Sequence, residues 1–182
     1  MRTLPAILAA MSLVALAGAA VAAPPAPDLM GGAEIFLEKA TQNAMTEVEL
    51  GKLAEKNARS MGINALGGRL ARDHARMNKI LGLISQDKGL SVPMALDSDH
   101  RAIVESLRTK TGAEFDVAYA SLMVSDHASA IALFSEAAAS EDEDIAAFAK
   151  SALPALREQK RLADNFQKMT ANYRLETTAQ RE

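Results

Sequence analysis

The chain has 182 residues, no cysteine and a formal net charge of −3 at pH 7. Without cysteine it cannot form disulfides, bind metal through thiolates, use a cysteine nucleophile or carry a lipid on cysteine. A mildly acidic chain also lacks the basic surface that binds phosphate backbones, so nucleic acid is not an expected partner.

The first 23 residues have the order of a secretory signal peptide. Arg2 is followed by an apolar run over residues 4–20, then by the small residues Val21, Ala22 and Ala23. This order predicts a cleavable export signal with cleavage near Ala22 or Ala23, and a periplasmic or secreted protein. Cleavage would leave 159 residues, which suits a single domain, and a net charge of −4 because Arg2 is lost.

No later apolar run approaches the roughly 20 residues that a membrane-spanning helix needs. The mature chain is therefore expected to be soluble, with no transmembrane segment. The sequence leaves a protein or envelope partner open, and it does not determine the oligomeric state.

Abundant Ala and Leu with few aromatic residues are typical of a helical bundle. Residues 24–31 are expected to be flexible. Apolar periodicity then predicts a bundle domain over residues 32–173, with long helices over about 32–59, 63–88, 113–139 and 141–173 and a short helix over 97–110. Residues 174–182 are expected to form a polar tail. We therefore predict an all-α, ferritin-like four-helix bundle with a short extra helix in the longest connection.

Specific residues are predicted to end or begin these helices. Gly89 is expected to follow the end of the second long helix, because glycine adopts the left-handed conformation found there. Asp97 or Ser98 is expected to cap the short helix, and Ser140 or Asp142 the last long one.

Polar residues interrupt the apolar stripe of each long helix about midway along its length. The predicted stripes of the second and third long helices are Leu66, Leu70, Met77, Leu81 and Ile84, and Phe115, Tyr119, Leu122, Ala130 and Leu133. On a helical wheel, Glu47, Asp73 and Asp126 lie at the centres of their stripes. His74 and His127 lie on the flanks, and Gln159 lies on the stripe of the last helix. If the four helices are aligned end to end, these side chains meet at one level of the bundle.

A charge in a protein core costs several kcal/mol unless it is paired or binds a metal. A divalent transition-metal ion would remove the repulsion between the carboxylates, and the imidazoles would complete an oxygen and nitrogen set suited to iron, manganese or zinc. The alternative is that the aspartates pair with nearby arginines or accept a hydrogen bond from Tyr119. The Glu-x-x-His pattern of di-iron bundles is absent. Asp97 and His100 have that offset, but we interpret them as a helix cap.

Six segments in the mature chain carry a family resemblance. They are AMTEVELGKLA at 44–54, RDH at 72–74, GAEFDVAY at 112–119, DH at 126–127, ALF at 132–134 and LPALREQ at 153–159. With these segments the sequence resembles the bacterial family called domain of unknown function 4142, whose members are often labelled outer-membrane proteins. The resemblance implies a ferritin-like bundle and an exported protein, and it implies no reaction.

The same resemblance bears on the candidate metal ligands. Glu47, Asp73, His74, Asp126 and His127 match recurring polar positions of that family. The family pattern usually has a histidine where this chain has Gln159, so a metal site implied by the resemblance would lack one imidazole here.

Two functions follow as hypotheses. The first is a non-catalytic periplasmic binding or envelope-stress protein, since the sequence shows no reactive nucleophile and no cofactor-binding loop. The second is a ferritin-like metal-binding protein or oxidoreductase that uses the five carboxylate and histidine residues named above. An oligomerising scaffold is a third alternative, for which a broad exposed apolar face would be the sign.

Overall fold

The computed structural model describes the backbone of residues 27–179 and the side chains of residues 31–171. It contains the helices α1 (Pro27–Asn57), α2 (Met61–Asp87), α3 (Ser98–Arg108), α4 (Gly112–Ala137) and α5 (Glu143–Ala179). There is no β-strand between residues 27 and 179, and the predicted all-α class is confirmed. The predicted signal peptide, residues 1–23, lies outside the described residues.

The first and last helices of the chain, α1 and α5, are longer than the sequence pattern predicts. α1 begins at Pro27 rather than at residue 32, so residues 27–31 of the expected flexible segment are helical. Proline is well suited to the first turn of a helix, where its missing N–H would have no helical partner. α5 continues to Ala179, so most of the expected polar tail is helical as well.

The predicted helix ends are confirmed by their hydrogen bonds. Gly89 follows α2 with a φ of 65°, the left-handed conformation that glycine adopts readily. The Asp97 side chain accepts a hydrogen bond from the His100 N–H at 2.8 Å and caps α3. The Asp142 side chain accepts one from the Ile145 N–H at 3.2 Å at the start of α5. These contacts satisfy backbone groups that a helix leaves unpaired at its ends.

The long helices pack in two pairs, α1 along α2 and α4 along α5. The pairs join through contacts of α1 with α4 and of α2 with α5, and α3 lies against α1 and α4. α1 and α2 approach closely because glycines meet at their contact. A Cβ atom on Gly51 would collide with the Gly67 carbonyl oxygen, and one on Gly67 would collide with the Ala54 side chain.

The core consists of two apolar clusters. The first includes Phe36, Leu37, Leu81, Phe134, Ile145 and Leu156. The second includes Leu50, Ile63, Leu70, Phe115, Tyr119 and Met123. On α1 four buried polar side chains lie between residues of the two clusters, those of Thr41, Gln42, Thr46 and Glu47, whereas each of the other long helices has one. Four of these residues, one from each long helix, lie next to one another around His127: Glu47 on α1, His74 on α2, His127 on α4 and Gln159 on α5. We call these four residues the central polar layer.

α4 is more apolar than the sequence analysis allowed for. Among the described residues it is the one helix whose length and hydropathy would permit a membrane span. The expectation that no later run reaches this limit is therefore corrected. Its many Ala residues raise the hydropathy, and core helices of soluble proteins have the same composition. This helix buries His127 and Asp116 against other parts of the chain.

Candidate metal centre

The central polar layer is closed off from solvent. Glu47 is 0% exposed, His74 and His127 are each 1% exposed, and Gln159 is 2% exposed. The four side chains come from four different helices, and they lie at one level of the core because α1 packs along α2 and α4 along α5. This agrees with the prediction that polar side chains of the four long helices meet at one level.

In both Asp-His pairs the structure buries the histidine, whereas the sequence pattern predicted that the aspartate would be the more central residue. His74 and His127 are buried, whereas Asp73 and Asp126, predicted at the stripe centres, are only partly buried. Leu66 and Leu70 on α2 and Phe115 and Tyr119 on α4 are buried as predicted. Each buried face is nevertheless rotated far enough to exclude the aspartate and include the adjacent histidine, which lies 100° further around the helix.

Asp73 lies at the edge of the layer and forms ion pairs. One of its oxygens contacts the Arg76 guanidinium, and the other lies 3.5 Å from Arg69 Nε. Its side chain is 25% exposed. For Asp73 the arginine-pairing alternative is therefore the observed arrangement, and this carboxylate does not join the group around Glu47.

Glu47, Asp126 and His127 come together as three metal-ligand side chains. One candidate ligand atom from each lies within 4.8 Å of the other two. The distance from Glu47 Oε1 to His127 Nδ1 is 3.7 Å. Neither Glu47 oxygen has a hydrogen-bond partner among the described residues. A fully buried carboxyl group without partners is unfavourable, so the surroundings of Glu47 call for a group that would bind its oxygens.

His74 contributes a second imidazole beside this group. Its ring meets the His127 ring edge to face, with 5.8 Å between the ring centroids. Both His74 nitrogens are buried and have no hydrogen-bond partner among the described residues. A neutral imidazole normally uses one nitrogen as donor and the other as acceptor, so both functions of His74 are unused.

Asn43, which was not among the residues predicted from the sequence, orients Asp126. Asn43 lies one turn before Glu47 on α1, and its Nδ2 donates a hydrogen bond to Asp126 Oδ2 at 2.8 Å. Its position on the stripe of Glu47, four residues away, was the available signal. Tyr119 was expected to donate a hydrogen bond, but its buried hydroxyl has no partner among the described residues.

Burial shifts the pKa values of these groups toward their uncharged forms. Burial, and then the nearby Asp126 carboxylate, raise the pKa of Glu47 well above its usual value. Burial and the neighbouring His127 ring lower the pKa of His74 to about 4, and burial also lowers the pKa of His127. His74 and His127 are thus neutral at pH 7, the form in which histidines bind metals. Glu47 favours its protonated form as long as no cation is close.

These residues fit a divalent transition-metal ion. The unpartnered Glu47 oxygens, the Asp126 carboxylate and the neutral imidazoles are a mixed oxygen and nitrogen set of the kind that binds zinc, iron and manganese. A cation would supply a positive charge beside the two neighbouring carboxylates, and it would bind the acceptor atoms that have no partner within residues 31–171.

Two solved structures resemble the fold. The chain superimposes on the crystal structure of a DUF305 fragment from Deinococcus radiodurans with a TM-score of 0.69 and 14% identity, covering 81% of this chain and 99% of that one. A DUF305 protein from Streptomyces coelicolor, described as a "putative secreted protein", matches with a TM-score of 0.65 and 15% identity, covering 77% and 94%. At these identities the likeness concerns the fold alone.

No curated protein matches the sequence. The sequence profile of the family described as "Domain of unknown function (DUF4142)" matches residues 18–166, which include every residue of the candidate centre. The chain therefore belongs to the DUF4142 family, as the resemblance in the sequence predicted.

Proposed function

We propose that this protein binds a divalent first-row transition-metal ion in the core of its helices and acts outside the cytoplasm without catalysis. Glu47, Asp126 and His127 would be the first ligands, and His74 would supply a further imidazole. The observation that carries this proposal is the fully buried Glu47 carboxyl group, which has no hydrogen-bond partner in the described part of the chain and faces an aspartate and a histidine.

The two neighbouring carboxylates of the core lack a positive charge close to them. Glu47 and Asp126 cannot both carry a charge at close range in a buried site unless a positive charge lies near them. Arg69 and Arg76 are engaged with Asp73, and His74 and His127 are held neutral by burial. A bound divalent cation would provide the missing positive charge.

The closed surroundings favour a binding role over catalysis. Glu47, His74 and His127 are at most 1% exposed, so an ion among them would have little contact with a substrate in solution. This argues for holding or sequestering the ion, or for using it to stabilise the fold, rather than for an oxidoreductase.

The proposal also covers the arrangement of the four long helices and the cellular location of the protein. We propose that the four long helices form a ferritin-like bundle, because their two pairs contact each other and surround one shared polar layer. Export to the periplasm or beyond is supported by the order of residues 1–23 and by the "secreted" description of the Streptomyces coelicolor protein with a similar fold.

Metal analysis of the purified protein tests this function. The protein would be stripped with a chelator, titrated with Zn(II), Co(II) or Mn(II) by calorimetry, and analysed for bound metal after dialysis. We expect stoichiometric binding of at least one of these ions. At a free metal concentration 100 times the Kd, the folded state should gain about 2.7 kcal/mol, which is visible as a higher Tm.

Two variants give the test a matched control. Glu47→Gln keeps the shape of the neutral side chain but removes the anionic ligand, so binding should be lost while the fold remains. His100→Asn removes the histidine that contacts Asp97 at the start of α3, and should bind metal like the wild type. No retained metal in the wild type, or equal retention by Glu47→Gln, would overturn the proposal.

A further inference from the structure

A chain of hydrogen bonds joins the surface of α2 to the central polar layer. At its outer end, Asp73 Oδ1 contacts the Arg76 guanidinium, and Arg69 Nε lies 3.5 Å from Oδ2. Asp73 Oδ2 also accepts a hydrogen bond from Gln159 Nε2 at 3.1 Å. Gln159 Oε1 lies 3.3 Å from His127 Nε2. Gln159 therefore links an ion-paired carboxylate at the edge of the core to a buried imidazole.

The chemistry of each group fixes the direction of these hydrogen bonds. A carboxylate that is paired with two guanidinium groups can only accept. The Gln159 amide must therefore turn its NH₂ toward Asp73, since the flipped amide would set oxygen against oxygen. Its carbonyl oxygen then faces His127 Nε2, and a carbonyl oxygen also can only accept. The hydrogen atom between them must belong to Nε2.

We propose that Asp73 and Gln159 are positioning residues that hold His127 in the tautomer with its proton on Nε2, and so leave Nδ1 unprotonated on the side of Glu47. The tautomer is inferred from the hydrogen bonds of His127 and does not depend on a metal. The use of Nδ1 as a metal ligand rests on the proposed function. A metal-binding histidine is commonly oriented in this way, through a hydrogen bond from its other nitrogen.

One contact opposes this tautomer and must be outweighed. His127 Nδ1 lies 3.0 Å from the Met123 carbonyl oxygen, which would accept a proton from Nδ1. Met123 lies four residues earlier on the same helix, so its oxygen already accepts the regular helical hydrogen bond. The link through Gln159 ends on a charged carboxylate, and hydrogen bonds to charged groups are about twice as strong as neutral ones. The arginine-paired Asp73 therefore decides the tautomer.

The two imidazoles of the layer differ as a result. His127 has a partner on each side that limits its tautomer, whereas both His74 nitrogens have none among the described residues. His127 is thus the oriented ligand candidate, and His74 is free to adapt. Gln159 takes part as an orienting group, although an amide is a poor metal ligand.

Substitution of Asp73, which does not touch His127, tests the inference. In Asp73→Asn, the new carbonyl oxygen would face the arginines and the new NH₂ would face Gln159. Gln159 would then turn its oxygen toward Asn and its NH₂ toward His127 Nε2, which would have to become an acceptor. We expect the His127 proton to move from Nε2 to Nδ1, a change that a purely structural role of Asp73 would not produce.

The readout is long-range ¹H–¹⁵N correlation spectroscopy of the full mature chain with labelled histidine, metal-free and at neutral pH. The chain has three histidines, so His127→Gln suffices to assign the signals of His127. The wild type should show a neutral ring protonated on Nε2. Glu158→Gln is the control, because it removes a carboxylate next to Gln159 that pairs with Arg161 instead, and it should keep the wild-type pattern.

A neutral ring protonated on Nδ1 in the wild type, or a ring protonated on both nitrogens, would overturn the inference. So would an unchanged tautomer in Asp73→Asn. These spectra need no metal, so they separate this inference from the proposed function. If metal binds as proposed, Asp73→Asn and Gln159→Leu should also weaken affinity by about 10- to 100-fold, the usual cost of losing an orienting partner.

Discussion

The folding stability of the metal-free protein should fall in acid because of His74. Its pKa is about 4 in the folded protein, against 6.5 for an ordinary histidine. As the pH falls through this range, the unfolded chain takes up a proton that the folded protein does not bind. The contribution of His74 is therefore fully present above pH 6.5 and is lost toward pH 4. This difference in pKa corresponds to roughly 3 kcal/mol.

Comparison with His74→Leu isolates this contribution. The substitution removes the titrating ring and leaves a buried apolar side chain, and it breaks no hydrogen bond because neither His74 nitrogen has a partner among the described residues. Glu47 acts with the opposite sign, because its raised pKa favours the folded state as the pH falls. That shift arises from burial and from Asp126, so it is common to both proteins and cancels in the difference. Any packing defect of the variant appears as a constant offset.

The assay is urea unfolding followed by circular dichroism, in chelator, at several pH values from neutral to about 4. The wild type should lose roughly 3 kcal/mol relative to His74→Leu across this range. Parallel stability curves for the two proteins would refute the reasoning, because they would mean that His74 is protonated as easily in the folded core as in the unfolded chain.

Three further predictions concern the contact between α1 and α2, the buried carboxylate of Asp116 and the release of protons when metal binds. Gly67→Ala should destabilise the protein by about 1–3 kcal/mol in urea unfolding, because α1 leaves no room for a Cβ atom, whereas Gly82→Ala, with nothing within 4 Å, should be neutral or stabilising. Asp116→Ala should cost about 2–3 kcal/mol in the same assay, since this buried carboxylate accepts two backbone N–H groups of the α1–α2 turn at 3.1 and 2.9 Å. Metal binding should release protons and tighten as the pH rises, because Glu47 must ionise, and calorimetry in buffers of different ionisation enthalpy would measure this. The first two predictions fail if the variants unfold like the wild type, and the third fails if the binding heat is independent of the buffer.

The helices could be predicted from sequence because their signals are local. The side chain of Asp97 and the backbone of Gly89 determine helix ends through contacts with residues close by in the chain. Each helix end leaves backbone groups without helical partners, and residues close by in the chain satisfy them, so composition and spacing were sufficient to predict these ends.

The inward face of each helix was harder to predict. On α2 the buried side includes the small residues Gly67 and Ser85, which add nothing to an apolar stripe, while the partly buried Met77 and Ile84 moved the expected stripe away from His74. A glycine is buried there because α1 approaches it, which is a property of the packed pair and not of α2 alone.

On α4 the difficulty has another cause. This helix is apolar on most of its surface, so the pattern fixes its rotation only weakly, and the expected stripe through Leu122 and Leu133 is one residue away from the buried Met123 and Phe134. The polar layer was therefore predicted at the right level, with Asp126 and His127 exchanged. The link from Asp73 through Gln159 depends on contacts between distant segments, which spacing does not reveal.

The most direct measurement is anomalous X-ray scattering from a crystal of the cobalt- or zinc-loaded protein. We expect one strong peak inside the core of the helices, bonded to Glu47, Asp126 and His127 Nδ1. A loaded crystal with no peak there, or with metal only at surface carboxylates or at His100, would contradict it.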